Sequence, residues 1–299
     1  MKNIFVLLTV LMSIIFFNNL SFAQLRTPSP NAPYCQVQSY KGIAPVVEND
    51  AALTFYYLKK SADKPYPERQ ETTKMVWVQP GGKVKPHTLN NVEELVYFFE
   101  GKGSITVNGT KHEVHPGTAV FIPPGIERSY ENPAKDEGGF DNWLKFVSVT
   151  AGCSPPAGGE IATIRAVEDT IPVVAYFAGL DWRLHLKWDP NSKYPENLFF
   201  ASRAILTPGL SFNAHMHEDH EETYFILRGH GHMELDNVRY EIGPMTNVFF
   251  PPGVDHEIIN DSDEVMDIFA WGVHVNKVPV FGTRTVPQPA GSFPLRKKK

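Results

Sequence analysis

At 299 residues, 42% hydrophobic and 12% aromatic, the chain is long enough for two domains with apolar cores and too rich in core-forming residues to be disordered. A mild net charge of −5 argues against a nucleic-acid-binding surface, so no nucleic-acid partner is expected. Its 25 prolines and 22 glycines are scattered, which favours many short strands joined by turns over long helices.

Residues 1–23 read as a secretory signal peptide. Lys2 supplies the positive start, Ile4 to Phe17 is almost wholly apolar, and Ser21-Phe22-Ala23 offers a small-residue cleavage site before Gln24. The apolar run is short for a membrane span, and no second such segment follows. The expectation is a periplasmic or secreted protein with no membrane partner after cleavage. Residues 24–50 form a Pro-rich arm. Cys35 and Cys153 are the only cysteines, and in an exported chain they are either a disulfide or two separate thiols.

Laid on itself with a shift of 128, the chain matches itself. Pro80-Gly81 falls on Pro208-Gly209, His87 on His215, Glu93-Glu94 on Glu221-Glu222, and Gly101 and Gly103 on Gly229 and Gly231. Pro123-Pro124-Gly125 falls on Pro251-Pro252-Gly253, and Asn132 on Asn260. A constant offset over that length marks a duplication. Within each copy the pattern is strand and turn. Leu95 to Phe99 and Thr223 to Leu227 are β-prone runs ended by Gly-x-Gly, Asn108-Gly109 and Asp236-Asn237 are hairpin corners, and each Pro-Pro-Gly stops a strand. The predicted fold is all-β, two tandem antiparallel barrels: residues 51–150 for the first and 191–275 for the second, with 151–190 as a linker and 276–299 as a solvated basic tail. Within the linker, Ala162 to Asp169 is the one place where a turn or two of helix is expected.

The second copy concentrates metal-binding chemistry. His215-Met216-His217 puts two imidazoles on one face of a strand, since side chains at i and i+2 point the same way. Glu222 follows after four residues, and His256 starts the strand after Pro251-Pro252-Gly253. Imidazole and carboxylate together suit divalent Mn, Fe, Ni or Zn. His220, His230 and His232 are expected to support the site or lie on the surface. Glu221, the spare carboxylate beside Glu222, is the candidate general acid or base, with a solvated loop glutamate as the plainer alternative.

The runs His215-x-His217-x4-Glu222-x6-Gly229 and Pro251-x-Gly253-x2-His256-x3-Asn260 resemble the two signatures of the cupin superfamily. Met245 stands where the second signature usually opens with Gly. Because both copies carry the pattern, the chain resembles the bicupins, two-domain relatives of the germin-like and oxygenase-type cupins. The resemblance implies jelly-roll-like barrels and one divalent metal ion on His215, His217, Glu222 and His256. In the first copy His87 and Glu94 remain, but Leu89 and Arg128 replace the other two histidines. Arg128 cannot ligate a cation. A retired site with an Arg128–Glu94 ion pair is expected there, the alternative being an anion pocket built on Arg128.

Cupins with this ligand set include dioxygenases of flavonols and other enols, as well as manganese oxalate decarboxylases and oxidases. The resemblance therefore implies an exported metalloenzyme acting on a small oxygenated organic molecule, foremost as a (di)oxygenase or other oxidoreductase. A sugar or uronic-acid lyase or isomerase in polysaccharide breakdown is the alternative enzyme, and a non-catalytic ligand- or metal-binding cupin the alternative outside enzymes. Homo-oligomerisation is left open.

Overall fold

Runs of β-branched and aromatic residues, broken at Gly, Pro and Asn, give the backbone short strands and tight corners. The computed structural model describes residues 28–156, 158–159, 161–175, 179–184, 193–275 and 283–285; these hold strands and three short 3-10 turns, with no α-helix. The expected leader lies outside the described residues, as does the expected tail apart from 283–285. No helix among the described residues is long and apolar enough to cross a membrane.

The first half runs β1 Gln36–Ser39, β2 Val46–Glu48, β3 Ala52–Lys59, β4 Gln70–Val78, β5 Lys83–Thr88 and β6 Val92–Glu100. It continues with β7 Gly103–Val107, β8 Thr110–Val114, β9 Thr118–Ile122, β10 Glu127–Glu131 and β11 Leu144–Gly152. The second half runs β12 Thr163–Ala166, β13 Val173–Ala175, β14 Gly179–Leu184, β15 Leu198–Leu206, β16 Ser211–His217 and β17 His220–Arg228. It ends with β18 Gly231–Leu235, β19 Val238–Ile242, β20 Thr246–Phe250, β21 His256–Ile259, β22 Met266–His274 and β23 Thr283–Thr285.

Two antiparallel sheets make each barrel. In the first, the sheet β12-β9-β6-β11-β4-β3-β2 closes over β5-β10-β7-β8; in the second, β1-β20-β17-β22-β15-β14-β13 closes over β19-β18-β21-β16-β23. Alternation along each strand sends one set of side chains into its own barrel and the other set outward. Val76, Val96, Phe98, Ile105 and Phe146 fill the first barrel, and Phe212, Ile226, Met233, Val248 and Ile268 fill the second. The outward faces of the two large sheets pack on each other and bury a third core, including Tyr57, Trp77, Tyr97, Phe225, Phe269 and Trp271. Tyr97 and Phe269 stack there with ring centres 3.9 Å apart.

The barrels also exchange edge strands. β1 precedes the first barrel but pairs with β20 of the second, Gln36 opposite Phe249. β12 precedes the second barrel but pairs with β9 of the first, Thr163 opposite Phe121. Each swapped strand covers an edge that would otherwise present unpaired backbone groups. This corrects the helix expected over Ala162 to Asp169: β-branched Thr163 and Ile164 join the open edge of β9, and only Val167–Asp169 coils, as a 3-10 turn. Within 151–190, β13 and β14 further extend the second barrel's large sheet.

Both hairpin corners take the positive φ read from their residues, with Asn108 at 48° and Gly109 at 77°, Asp236 at 46° and Asn237 at 68°. Met245 adopts φ 58° where the first copy has Gly117 at 100°, a conformation that costs a side-chain-bearing residue energy. It is held there by N–H donation to the Ile226 carbonyl and by the Tyr57 hydroxyl on its own carbonyl, at 2.7 and 2.8 Å. Cys35 and Cys153 are both free. Cys35 packs on the second barrel's core and Cys153 on the inter-barrel core, and burial pushes each thiol up to about 12.

Candidate metal centre

The strand period puts His215 and His217 together on β16, and β21 begins with His256 opposite His215 in register. β17 directs Glu222 into the same barrel. All four side chains are buried, and one ligand atom from each lies within 4.8 Å of every other. His217 Nε2 is 3.0 Å from Glu222 Oε2, and His256 Nε2 is 3.4 Å from the same oxygen.

The outer nitrogens of two rings are tied down. His215 Nδ1 is 2.7 Å from the Asn213 carbonyl oxygen and His256 Nδ1 is 3.0 Å from that of Val254. A carbonyl oxygen only accepts, so each Nδ1 carries a proton and each Nε2 faces inward. The two Nε2 atoms then meet at 3.2 Å. Two lone pairs so close in a buried site repel. A second proton would relieve this only by burying a charge, whereas a shared cation satisfies both rings together with His217 and Glu222. The donor set therefore fits a divalent ion.

Electrostatics agree with that reading. Burial pushes His215 down to about 3, with His256 adding to the effect, so the ring stays neutral. Burial opposes the Glu222 anion, yet His217 and His256 hold the carboxyl well below its usual range. Burial likewise disfavours a charged His217, but Glu222 overcomes it and raises that ring's pKa.

Around the four ligands the structure places residues that the motif alone does not reveal. His220 stacks on His217 with ring centres 4.2 Å apart, and its Nδ1 is held by Asp219 Oδ1 at 2.7 Å. Its Nε2 stays 3.9 Å from Glu222 Oε2, so it braces the ligands rather than joining them. Burial pushes its pKa down to about 4. Asp219 was missed in the sequence, although its position between His217 and His220 at a strand corner was visible. His232 is buried on β18 and bonds Asp261 through Nδ1 at 3.0 Å, while His230 is exposed. Neither joins the ligand group.

Glu221 requires a correction. As the neighbour of Glu222 on a strand it points to the opposite face, into the inter-barrel core, and is fully buried. Its carboxylate accepts backbone N–H bonds from Glu68, from Arg69 at 3.2 Å and from Gln70 at 2.9 Å. Burial pushes its carboxyl up to about 7 against these donors, which favour the anion. Such a group binds the first barrel's backbone and does not face the metal ligands.

In the first barrel the corresponding positions hold an ion pair. Arg128 donates from Nε and Nη2 to Glu94 Oε2 at 2.8 and 2.5 Å, and Ser148 Oγ donates to Glu94 Oε1 at 2.5 Å. Arg128 Nη1 bonds the Ile126 carbonyl at 2.9 Å. Burial opposes the Glu94 anion, but Arg128 and Lys74 keep its pKa below the ordinary value. His87 sits at the barrel mouth with Nδ1 on the Lys85 carbonyl at 3.0 Å.

Residues 74–138 and 202–272 each match the cupin domain family. Two such domains in tandem, with this topology, make the chain a bicupin. Its fold is similar to that of an oxalate decarboxylase from Lactobacillus farciminis solved with formate: the TM-score is 0.64 at 14% identity, over 87% of this chain and 90% of that one. A putative glyoxylate-induced protein from Pseudomonas aeruginosa gives a TM-score of 0.65 at 15% identity, over 83% and 90%. The Bacillus subtilis oxalate decarboxylase, studied for its Mn(II) centres, gives 0.62 at 12% identity, over 84% and 79%. In sequence, the uncharacterized protein MJ1618 of Methanocaldococcus jannaschii is 37% identical over 59 residues. That match covers 20% of this chain and 47% of the relative.

Proposed function

We propose that this bicupin is a divalent-metal enzyme whose substrate is a small oxygenated organic molecule, and that it acts as an oxidoreductase of the oxygenase kind. The carrying observation is the buried convergence of His215, His217, Glu222 and His256. Four protein donors leave positions open on a six-coordinate ion, which would act there as Lewis acid and, as Mn or Fe, as the redox partner of dioxygen. The chain's own residues do the rest. Glu222 is the one anion among the ligands, so the loaded centre stays net positive and attracts an anionic oxygen donor. The Asn213 and Val254 carbonyls keep two imidazoles aimed, and the Phe250 ring, 4.2 Å from that of His256, helps to exclude water.

A second reading, carbon–carbon cleavage of a small carboxylic acid without oxygen consumption, is supported by the fold's likeness to oxalate decarboxylases. One experiment separates the readings. Protein loaded in turn with Mn, Fe, Ni or Zn is offered a panel of enols, α-hydroxy acids and dicarboxylates, with dissolved oxygen and carbon dioxide both recorded. Substrate-dependent oxygen uptake supports the first reading, and carbon dioxide release without uptake supports the second. A fully loaded protein inert to the whole panel overturns both in favour of a binding role. Export is part of the proposal, supported by the leader-like composition of residues 1–23; a mature N-terminus other than one near Gln24 in protein recovered outside the cytoplasm would contradict it.

A further inference from the structure

The first barrel has lost its metal ligands, but it has not been filled in. A cavity of about 360 Å³ opens between its two sheets, lined by residues that include Lys74, Val76, Val84, Glu94, Tyr130 and Phe146. Comparison with the second barrel shows what changed. Strand register equates Lys74 with Ser202, Tyr130 with Ile258 and Phe146 with Ile268. A retired site kept only for packing would be expected to gain apolar side chains. This one carries an ammonium and a phenol where the other barrel has Ser202 and Ile258.

Lys74 shares its strand face with Val76 and Val78, both of which point into the barrel core. Its ammonium forms no hydrogen bond or salt bridge among the described residues, and the carboxylate whose charge it supports, Glu94, is already bound by Arg128 and Ser148. Half-burying a lysine beside a cavity with no carboxylate in direct contact is costly unless something else supplies more negative charge. The Tyr130 hydroxyl is also unsatisfied. The residue is 4% exposed, and the Arg128 guanidinium beside its oxygen can only donate, so the O–H proton has no acceptor. Arg128 itself is consumed by Glu94, and the pair is neutral as a unit. Of the remaining charges, Glu48 at the mouth already accepts from the Tyr56 hydroxyl at 2.9 Å, while Lys74 and Lys85 stand against it. The chamber is therefore net positive. It has a cation in its wall, the enclosed Tyr130 O–H directly behind that wall, and apolar surfaces from Val76, Val84 and Phe146.

We propose that the first barrel is a metal-independent binding site for a small organic carboxylate, with Lys74 as its charge partner and the Tyr130 hydroxyl as a hydrogen-bond donor. A carboxylate needs both kinds of contact, and the apolar walls take a short carbon skeleton, which an inorganic anion lacks. This differs from a pocket built on Arg128, since the guanidinium already has its anion.

The test uses the full chain carrying His256→Ala, which silences the second barrel's metal centre, and titrates it with acetate, malonate, succinate and benzoate by calorimetry. At least one acid is expected to bind with one site per chain. Lys74→Ser, which installs the residue of the other barrel, is expected to weaken that binding about tenfold or more, and Tyr130→Phe about threefold. Unchanged thermal midpoints would show that the loss is local, and Lys74→Gln repeats the test should the serine variant fail to fold. Failure of every acid to bind, binding that survives both lysine variants, or equal affinity for sulfate would each overturn the proposal. None of these readouts depends on turnover at the second barrel.

Discussion

Glu93 and Glu221 occupy equivalent positions in the two copies, and each binds the backbone of the other copy. Glu221 accepts from the N–H groups of Glu68, Arg69 and Gln70; Glu93 accepts from those of Glu196, Asn197 and Leu198. The two segments receiving these carboxylates are themselves 128 residues apart, so the contact obeys the internal two-fold relation of the molecule. Together with the swapped strands β1 and β12, the reciprocal clamp ties the two barrels into one unit.

Glu221→Gln is therefore expected to lower stability by about 2 kcal/mol while metal affinity is kept, because it weakens hydrogen bonds to a charged acceptor outside the ligand group. Glu93→Gln should do the same, and the double variant should lose close to the sum, since the sites share no partner. Urea unfolding gives the first quantity and metal titration the second. Loss of metal at unchanged stability would return Glu221 to the centre.

Elemental analysis of the loaded protein should find one metal equivalent per chain, because among the described residues only the second barrel assembles a full donor set. His215→Ala and His256→Ala should each abolish most of that binding with the β-sheet circular dichroism intact. Two equivalents in the wild type would place an ion in the first barrel and contradict the Arg128–Glu94 pair.

Arg128→Met leaves the buried Glu94 carboxylate with Ser148 as its close donor, and a loss of about 3–5 kcal/mol is expected. Glu94→Gln combined with Arg128→Met removes both charges and should recover most of the loss. If the single and double variants unfold alike, the cost comes from packing and not from the stranded charge.

His217 supplies a pH signature. Glu222 raises its pKa in the metal-free protein, so the ion pair stabilises that form below the ring's unfolded value and the benefit fades as pH rises through the folded one. Metal must displace the same proton, so metal affinity should climb over the same window, which lies above the ordinary imidazole value of about 6.5. Thermal midpoints of metal-free and loaded protein should thus diverge with rising pH. Parallel curves would count against His217 as a ligand.

By itself the sequence determined the duplication, the all-β fold and the four candidate ligands. These rest on local regularities: the fixed offset, the period of two along strands, Pro-Pro-Gly stops, and His and Glu at set spacing around one hairpin. The tertiary structure alone decided what each side chain faces across a distance. Glu221 looked like a spare carboxylate because it adjoins Glu222, but strand alternation turns it to the sheet face that meets the other barrel, and no local pattern says what lies there. Thr163 to Ala166 became a strand because an edge more than 40 residues earlier, at Phe121, was open to it. Lys74 escaped notice for the same reason. It lies ahead of the stretch where the copies align visibly, and its meaning depends on a cavity that exists only once two sheets have closed over it.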